Sequence, residues 1–233
     1  MFMTGTGFIH RLAQMSLIAG TALMPVAAQA ADDDPWEDAN RVIYRFNDTL
    51  DTYTLKPLAK GYQFITPQFL EDGIHNMFRN IGDIGNFTND VLQGKAHAAG
   101  VDTARLLLNT TLGVAGFFDV GTQMGLQRND EDFGLTLGHW GLPTGPYVML
   151  PLLGPSTVRD GIAKYPDTYT TPYRYMNDIP ARNTLFAVEM VDTRASFLSS
   201  EKVITGDKYT FIRNAFLQSR EFKVKNGKVE DDF

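Results

Sequence analysis

Trp36, Ala39, Ile43, Phe46 and Leu50 recur at spacings of 3, 4, 3 and 4 residues, which lays one apolar stripe along a helix with polar residues around it. Asp34, Pro35 and Glu37 suit an N-cap, a first helical position and a capping-box carboxylate, so the helix is predicted to open there. A break is predicted near Lys56-Pro57. Thr66-Pro67 offers a second start, after which Leu70, Ile74, Met77, Ile81 and Ile84 keep helical spacing, with Phe87 and Val91 drifting onto the same side. Gly82 and Gly85 weaken that run and predict a bend or two helices. A third helix is predicted from about His97 to Leu112 on Val101, Ala104, Leu108 and Leu112. Leu185, Val188, Val191, Ala195 and Leu198 mark a further one. Tyr209, Ile212 and Phe216 mark the last, ending before a charged tail, residues 221–233. No run alternates as a strand would, and no repeat or low-complexity linker divides the chain. The pattern predicts a single all-α domain.

Residues 133–158 depart from it. They contain no Asp, Glu, Lys or Arg, five glycines (134, 138, 141, 145, 154) and four prolines (143, 146, 151, 155). Four internal prolines exclude one spanning helix. Leu135, Leu137, Trp140, Leu142, Tyr147, Val148, Met149, Leu150, Leu152 and Leu153 exclude an ordinary solvated loop. Two readings stand: an irregular hairpin buried in the domain, or one lying against lipid or a partner.

The N-terminus changes the compartment. Arg11 is the only charged residue before Asp32, and the apolar stretch 12–31 includes Ala28-Gln29-Ala30. A basic start, an apolar core and a small-x-small ending predict a signal peptide, residues 1–30, and a domain over 31–233. An uncleaved anchor is the other reading. Removing Arg11 moves the formal charge from −6 to −7, a poor fit to nucleic acid. With no cysteine, neither disulfides nor thiolate metal sites are open to the chain, and a large core must hold it together. About 200 residues supply one, since such chains bury roughly 70–75% of their unfolded surface.

Motifs for catalysis are missing. The sequence has no Gly-x-Ser-x-Gly elbow, no His-Glu-x-x-His pair and no glycine-rich phosphate loop. Histidines stand at 10, 75, 97 and 139. His139, in Gly138-His139-Trp140-Gly141, reads as a base or as a structural histidine. Asp130-Glu131-Asp132 reads as a cation site or a solvated turn; it lacks the alternating ligands and turn glycine of a calcium loop. Asn47, Asn86 and Asn109 each open an Asn-x-Thr triplet. Arg105 and Arg159 are the candidates to grip a lipid phosphate in bidentate fashion. The competing reading is local ion pairing, as Arg159 beside Asp160 and Arg79 near Asp83 suggest.

Asp34-Pro35-Trp36-Glu37, Asn40-Arg41 and Phe46-Asn47 resemble the start of the mature MlaA (VacJ) lipoproteins. Leu92-Gln93-Gly94, Leu108-Asn109-Thr110-Thr111-Leu112-Gly113 and Gly116-Phe117-Phe118-Asp119-Val120 follow in the family's order. So do Asp132-Phe133-Gly134-Leu135-Thr136-Leu137-Gly138, Gly145-Pro146-Tyr147 and the run from Leu150-Pro151 to Arg159-Asp160. The resemblance covers about residues 34–222. It implies a ring-like helical domain in the periplasmic leaflet of the outer membrane, or in the periplasm. It implies an amphipathic channel through which glycerophospholipid leaves the outer leaflet, so that lipid asymmetry is kept. The partners it implies are trimeric outer-membrane porins and a periplasmic lipid carrier serving an ABC transporter. No cofactor, metal or catalytic residue is expected. On this reading Trp36, Phe46, Leu108, Phe117, Phe118, Leu135, Leu137, Trp140, Tyr147 and Leu150 are the channel or membrane contacts, and Arg105 and Arg159 the headgroup contacts. Members carry a lipidated cysteine. Here Ile18-Ala19-Gly20-Thr21 resembles a lipobox with threonine in that place, so lipidation is closed to this chain. Two other functions remain as alternatives: a porin-associated scaffold without lipid transfer, and a lipid hydrolase using His75, His97 or His139.

Overall fold

α1 (Glu37–Leu50) forms where the apolar stripe predicts it, although Trp36 rather than Asp34 occupies its cap and no side chain bonds the first amides. The structure, a computed structural model, describes residues 34–228; the predicted signal peptide and residues 229–233 lie outside them. The break near Pro57 does not occur. A π turn (Asp51–Leu55), closed by the Lys56 amide on the Asp51 carbonyl, runs straight into α2 (Lys56–Ile65). Pro57 falls in the first positions of α2, where its missing N–H costs least.

α3 (Gln68–Leu92) is one continuous helix rather than two. Its glycines make room for neighbours instead. A Cβ on Gly82 would lie 3.1 Å from Arg128 Nη2, and one on Gly85 3.2 Å from Thr170 Oγ1. A tight turn with Gly94 at φ +71° reverses the chain into α4 (Ala96–Thr111), which packs along α3. α5 (Val120–Gln123), α6 (Phe133–His139), α7 (Val158–Asp167), α8 (Ile179–Ser196) and α9 (Lys208–Val224) follow, with short 3-10 turns at Thr168–Thr170, Pro172–Tyr175 and Ser200–Val203. Asp119, Asp132, Thr157, Asp178 and Asp207 cap α5 to α9 in turn through their side chains. α9 runs into the segment whose charge predicts a tail, helped by an i,i+4 pair of Glu221 with Lys225 at 2.9 Å.

The Gly/Pro-rich segment holds α6 and an antiparallel hairpin of β1 (Tyr147–Leu150) and β2 (Gly154–Thr157), in register Tyr147 with Thr157 through Leu150 with Gly154. One edge of β1 is therefore without a partner strand, a liability in any sheet. Two asparagines of α1, seven apart and on one face, fill it. The Asn40 amide donates to the Tyr147 carbonyl at 3.1 Å, and its oxygen accepts from the Met149 amide at 2.8 Å. Asn47 repeats the pattern with the Leu150 carbonyl and the Leu152 amide, both at 2.9 Å. Asn40→Leu is expected to cost about 2–4 kcal/mol, because two buried backbone groups lose their partner. The more exposed Asn47→Leu costs about 1 kcal/mol, because water replaces it there. Urea unfolding of the two variants checks the contrast; equal midpoints would refute the clamp.

Tyr147, Met149 and Tyr209 form a small apolar core with Ile43, Tyr44, Phe216 and Leu217. From there the packing closes on itself. α1 lies on β1, β2 on α9, α9 on α6, α6 on α3, α3 on α8, and α8 on the π turn that continues α1.

Candidate functional site

The interior is polar. Besides that small core, the buried apolar side chains among the described residues are Leu135 and four alanines, whereas Asn80, Asp83, Asn86, Asn89 and Asp90 of α3 and Asp102, Arg105 and Asn109 of α4 are all buried. Asp83, fully buried, receives Arg128 Nε at 2.6 Å on one oxygen and Arg105 Nε at 3.4 Å on the other. Arg105 also donates to Asp119 at 3.1 Å, to the Thr122 hydroxyl at 2.9 Å and to the Leu126 carbonyl at 2.6 Å. Asn86 holds the Asn129 carbonyl at 2.8 Å and the Glu131 amide at 3.0 Å. Asn109 Oδ1 holds the Gly121 amide at 2.8 Å. The three Asn-x-Thr asparagines are thus all structural clamps. Asp90 and Asp102, both fully buried, face each other as a carboxyl pair. Burial and the hydrogen bond and charge of Asp90 push the Asp102 carboxyl up to about 8, and burial raises Asp90 too.

The acidic triplet is neither a cation site nor a free turn. Asp130 pairs with Arg128, Glu131 with Lys95 at 2.9 Å and Asp132 with Arg220 at 2.5 Å. No group of three or more His, Asp or Glu side chains among the described residues could hold a metal.

The exterior is correspondingly apolar. Large apolar side chains stand exposed on α1 and the π turn (Val42, Phe46, Tyr53), on α2 (Leu58, Phe64, Ile65), on α4 and the following loop (Leu107, Leu112, Val114, Phe118), and at the hairpin tip (Leu152, Leu153). Phe64 is 89% exposed and Ile65 77%. Large apolar side chains exposed on successive elements mark a surface suited to a partner or a membrane. No helix among the described residues is long and apolar enough to cross a membrane.

Between α1, the hairpin, the end of α8 and α9 lies a cavity of about 450 Å³. Its exposed walls are mostly apolar, with Tyr44, Met149, Phe197, Val203, Ile204 and Phe211 among them, and Asp51, Arg194 and Glu201 also line it. Arg194 grips Asp51 with two bonds of 2.7 and 2.8 Å and Glu201 at 3.0 Å.

The predicted contacts divide. Trp36, Phe46, Phe118 and Trp140 are exposed, and Trp140 keeps its indole N–H on the Leu92 carbonyl at 3.1 Å. Leu108, Leu137 and Leu150 are half-buried. Phe117 packs on α3 at Gly73, where a Cβ would lie 2.0 Å from its ring. Leu135 and Tyr147 are core residues at 1% and 0% exposure, because their backbones sit on the inner faces of α6 and β1; neither can touch lipid as placed. Leu108, Phe117 and Phe118 do not line the cavity; the hairpin does, through Met149, Gly154 and Pro155. Nor are the headgroup arginines presented to a ligand. Arg105 is committed as described, and Arg159 is buried on Asp160 at 3.0 Å, the Leu142 carbonyl and the Thr144 hydroxyl. Asp83 is paired with Arg105 and Arg128, not with the nearby Arg79 the sequence offered.

Among the histidines, His75 Nδ1 lies 2.7 Å from Asp192, whose other oxygen accepts from Tyr62 at 3.2 Å; this ties α2 and α3 to α8. His97 and His139 are exposed. Among the described residues no hydrogen bond joins a serine or threonine hydroxyl to any of the three.

What the sequence reading missed is the polar stripe of α3. Asn80, Asp83, Asn86 and Asp90 keep the same 3,3,4 spacing as an apolar stripe, and that regularity was the available signal.

A helical body with a polar interior, many exposed large apolar side chains, an apolar cavity and, among the described residues, no spanning helix has the make-up of a lipid-facing protein. The chain belongs to the MlaA lipoprotein family, whose model matches residues 32–223. It is 32% identical over 231 residues to the intermembrane phospholipid transport system lipoprotein MlaA of Escherichia coli K12, covering 94% of this chain and 92% of that one. To the protein of the same name in Haemophilus influenzae it is 31% identical over 203 residues, 84% of this chain and 81% of the other. A solved structure presented as "Structural basis for maintenance of bacterial outer membrane lipid asymmetry" aligns with a TM-score of 0.71 at 33% identity, covering 82% of this chain and 98% of that one.

Proposed function

We propose that this protein moves phospholipid between the membranes of the cell envelope. It takes mislocalised glycerophospholipid from the outer leaflet of the outer membrane and passes it to a periplasmic carrier, so that lipid asymmetry is kept. The observation that carries this is the distribution of polarity: many large apolar side chains are exposed, most buried side chains are polar or charged, and a cavity with a largely apolar lining is present. Exposed apolar side chains, with no membrane-crossing helix among the described residues, suit a protein sunk into one leaflet. The relatives' names supply the cargo, phospholipid. Trimeric porins and a periplasmic carrier are the partners we assign, and the periplasmic leaflet of the outer membrane is the place. The chain acts without chemistry of its own. Its exposed apolar side chains contribute to holding it at the leaflet.

In cells lacking the gene, outer-leaflet phospholipid should rise, read by an outer-membrane enzyme that acylates lipid A from surface phospholipid. Restoring this cysteine-free chain should reverse the rise. No rise would refute the proposal in favour of a porin-bound scaffold. Phe64→Ser with Ile65→Ser should leave folding unchanged, since both side chains are exposed, yet weaken vesicle binding. Each buried residue of this size contributes about 2 kcal/mol, or roughly 30-fold. Vesicle co-sedimentation measures it, and binding equal to the parent's would take α2 out of the membrane contact.

A further inference from the structure

A second cavity, about 510 Å³, lies between α2 and the 3-10 turn Ser200–Val203 and is lined by Lys56, Lys60, Gln63, Leu198, Ser199, Glu201 and Lys202. It lies within the roughly 300–1,000 Å³ that small-molecule sites take. Three lysines converge there in a chain whose formal charge is −6. Glu201 is the one acid of the lining, and both its oxygens are occupied, by Lys56 at 2.7 Å and Arg194 at 3.0 Å. Lys60 and Lys202 have no ion-pair partner among the described residues. Two ammonium groups are therefore left facing the groove without a counter-charge, which is an arrangement for an anion.

The surroundings say which kind. Phe64 and Ile65 follow Gln63, Phe197 precedes Leu198, and Val203 follows Lys202; all four are exposed by more than half. A basic groove flanked in sequence by exposed apolar residues and adjoining an apolar cavity fits an amphiphile better than a free ion. The two cavities share Glu201 in their walls, and Phe197 and Val203 belong to the apolar lining. A headgroup at the lysines therefore has a place for its acyl chains beside it.

We propose that Lys60 and Lys202, with Lys56 behind them, hold the phosphate of a glycerophospholipid of net negative charge, so that this protein favours anionic over zwitterionic lipid. The inference rests on the lipid-handling reading above and adds the headgroup class. Lys56 holds Glu201 in place and keeps the 3-10 turn closed on α2; Lys60 and Lys202 meet the ligand.

The test uses the full chain and two vesicle preparations, phosphatidylcholine alone and equal parts phosphatidylcholine and phosphatidylglycerol. The unaltered protein should bind the mixed vesicles roughly tenfold to hundredfold more tightly. Lys60→Glu with Lys202→Glu should abolish that preference, so that the mixed vesicles are bound no more tightly than phosphatidylcholine alone. Arg182→Glu with Lys228→Glu, an equal change of charge elsewhere, should keep it. Loss of preference in both double variants would overturn the site in favour of bulk attraction, and persistence in the first would do so outright. Competition by inorganic phosphate as effective as that by phosphatidylglycerol would make it a free-anion site and overturn the lipid assignment. A protein that binds phosphatidylcholine without preference loses this inference alone. One that binds neither preparation loses the lipid-handling reading with it.

Discussion

Arg105→Met is expected to destabilise the protein by about 3–5 kcal/mol, the loss seen when one partner of a buried ion pair is removed. Methionine fills the space but leaves fully buried Asp83 with Arg128 alone and takes the guanidinium from Asp119. It also orphans the Leu126 carbonyl, which now accepts at 2.6 Å. No larger side chain can move in from α5, because even a Cβ on Gly121 would lie 3.0 Å from Arg105 Cγ. Arg105→Lys should recover only part of the loss, since an ammonium cannot serve Asp83, Asp119, Thr122 and Leu126 at once. Guanidinium unfolding measures both. A variant with unchanged stability and altered lipid selectivity would return Arg105 to the headgroup role its sequence context suggested.

Raising the pH from about 5 to about 9 is expected to weaken the fold by several kcal/mol, and Asp102→Asn should remove most of that dependence. The Asp90–Asp102 pair lies between α3 and α4. Asp83 on α3, Arg128 and Glu131 on the loop before α6, and Lys95 at the turn are the charged groups around it. The folded protein keeps a proton on the pair up to about 8, whereas an unfolded aspartate releases it near 4. A raised folded value means the stabilisation is fully present below pH ~4 and is lost as pH climbs through about 8. Asp167, raised to about 6 by burial, adds to the fall over the lower part of that range. At the acid end the sign reverses. The Thr122 and Arg105 bonds outweigh burial and hold Asp119 down at about 2, and Lys56 and Arg194 hold Glu201 there. Their contribution is present above the ordinary carboxylate range and lost as pH falls toward 2. Stability should therefore peak in mild acid. In Asp102→Asn the amide donates to Asp90 at every pH, so the variant should overtake the parent in alkali. Parallel pH profiles for the two proteins would show that the pair does not hold the proton.

The helices at α1, α3, α4, α8 and α9 were legible because a 3.6-residue period needs only local geometry to be read. The Gly/Pro-rich segment was legible as a hairpin by elimination, and the ordered motifs carried the family. Where the reading went astray, the reason lay in contacts distant along the chain. Gly82 and Gly85 read as weak points of α3 until Arg128 and Thr170 are seen packed against them. Pro57 predicts a break until the π turn carries the chain past it. Leu135 and Tyr147 looked like membrane residues only because their apolar character says nothing of which way they point.

The sequence by itself determined where α1, α3, α4, α8 and α9 lie, that no segment carries the motifs of catalysis, and which family the chain joins. Each of these is written in local spacing or in motif order. Which side of each helix faces inward was decided by tertiary structure alone. An amphipathic period has the same form whether its apolar stripe meets a core or a lipid, and here the polar stripe of α3, from Asn80 to Asp90, is the buried one. A buried charge is tolerated only beside its partner. Asp83 found its partners at Arg105 and Arg128, 22 and 45 positions away, and only folding brings them together.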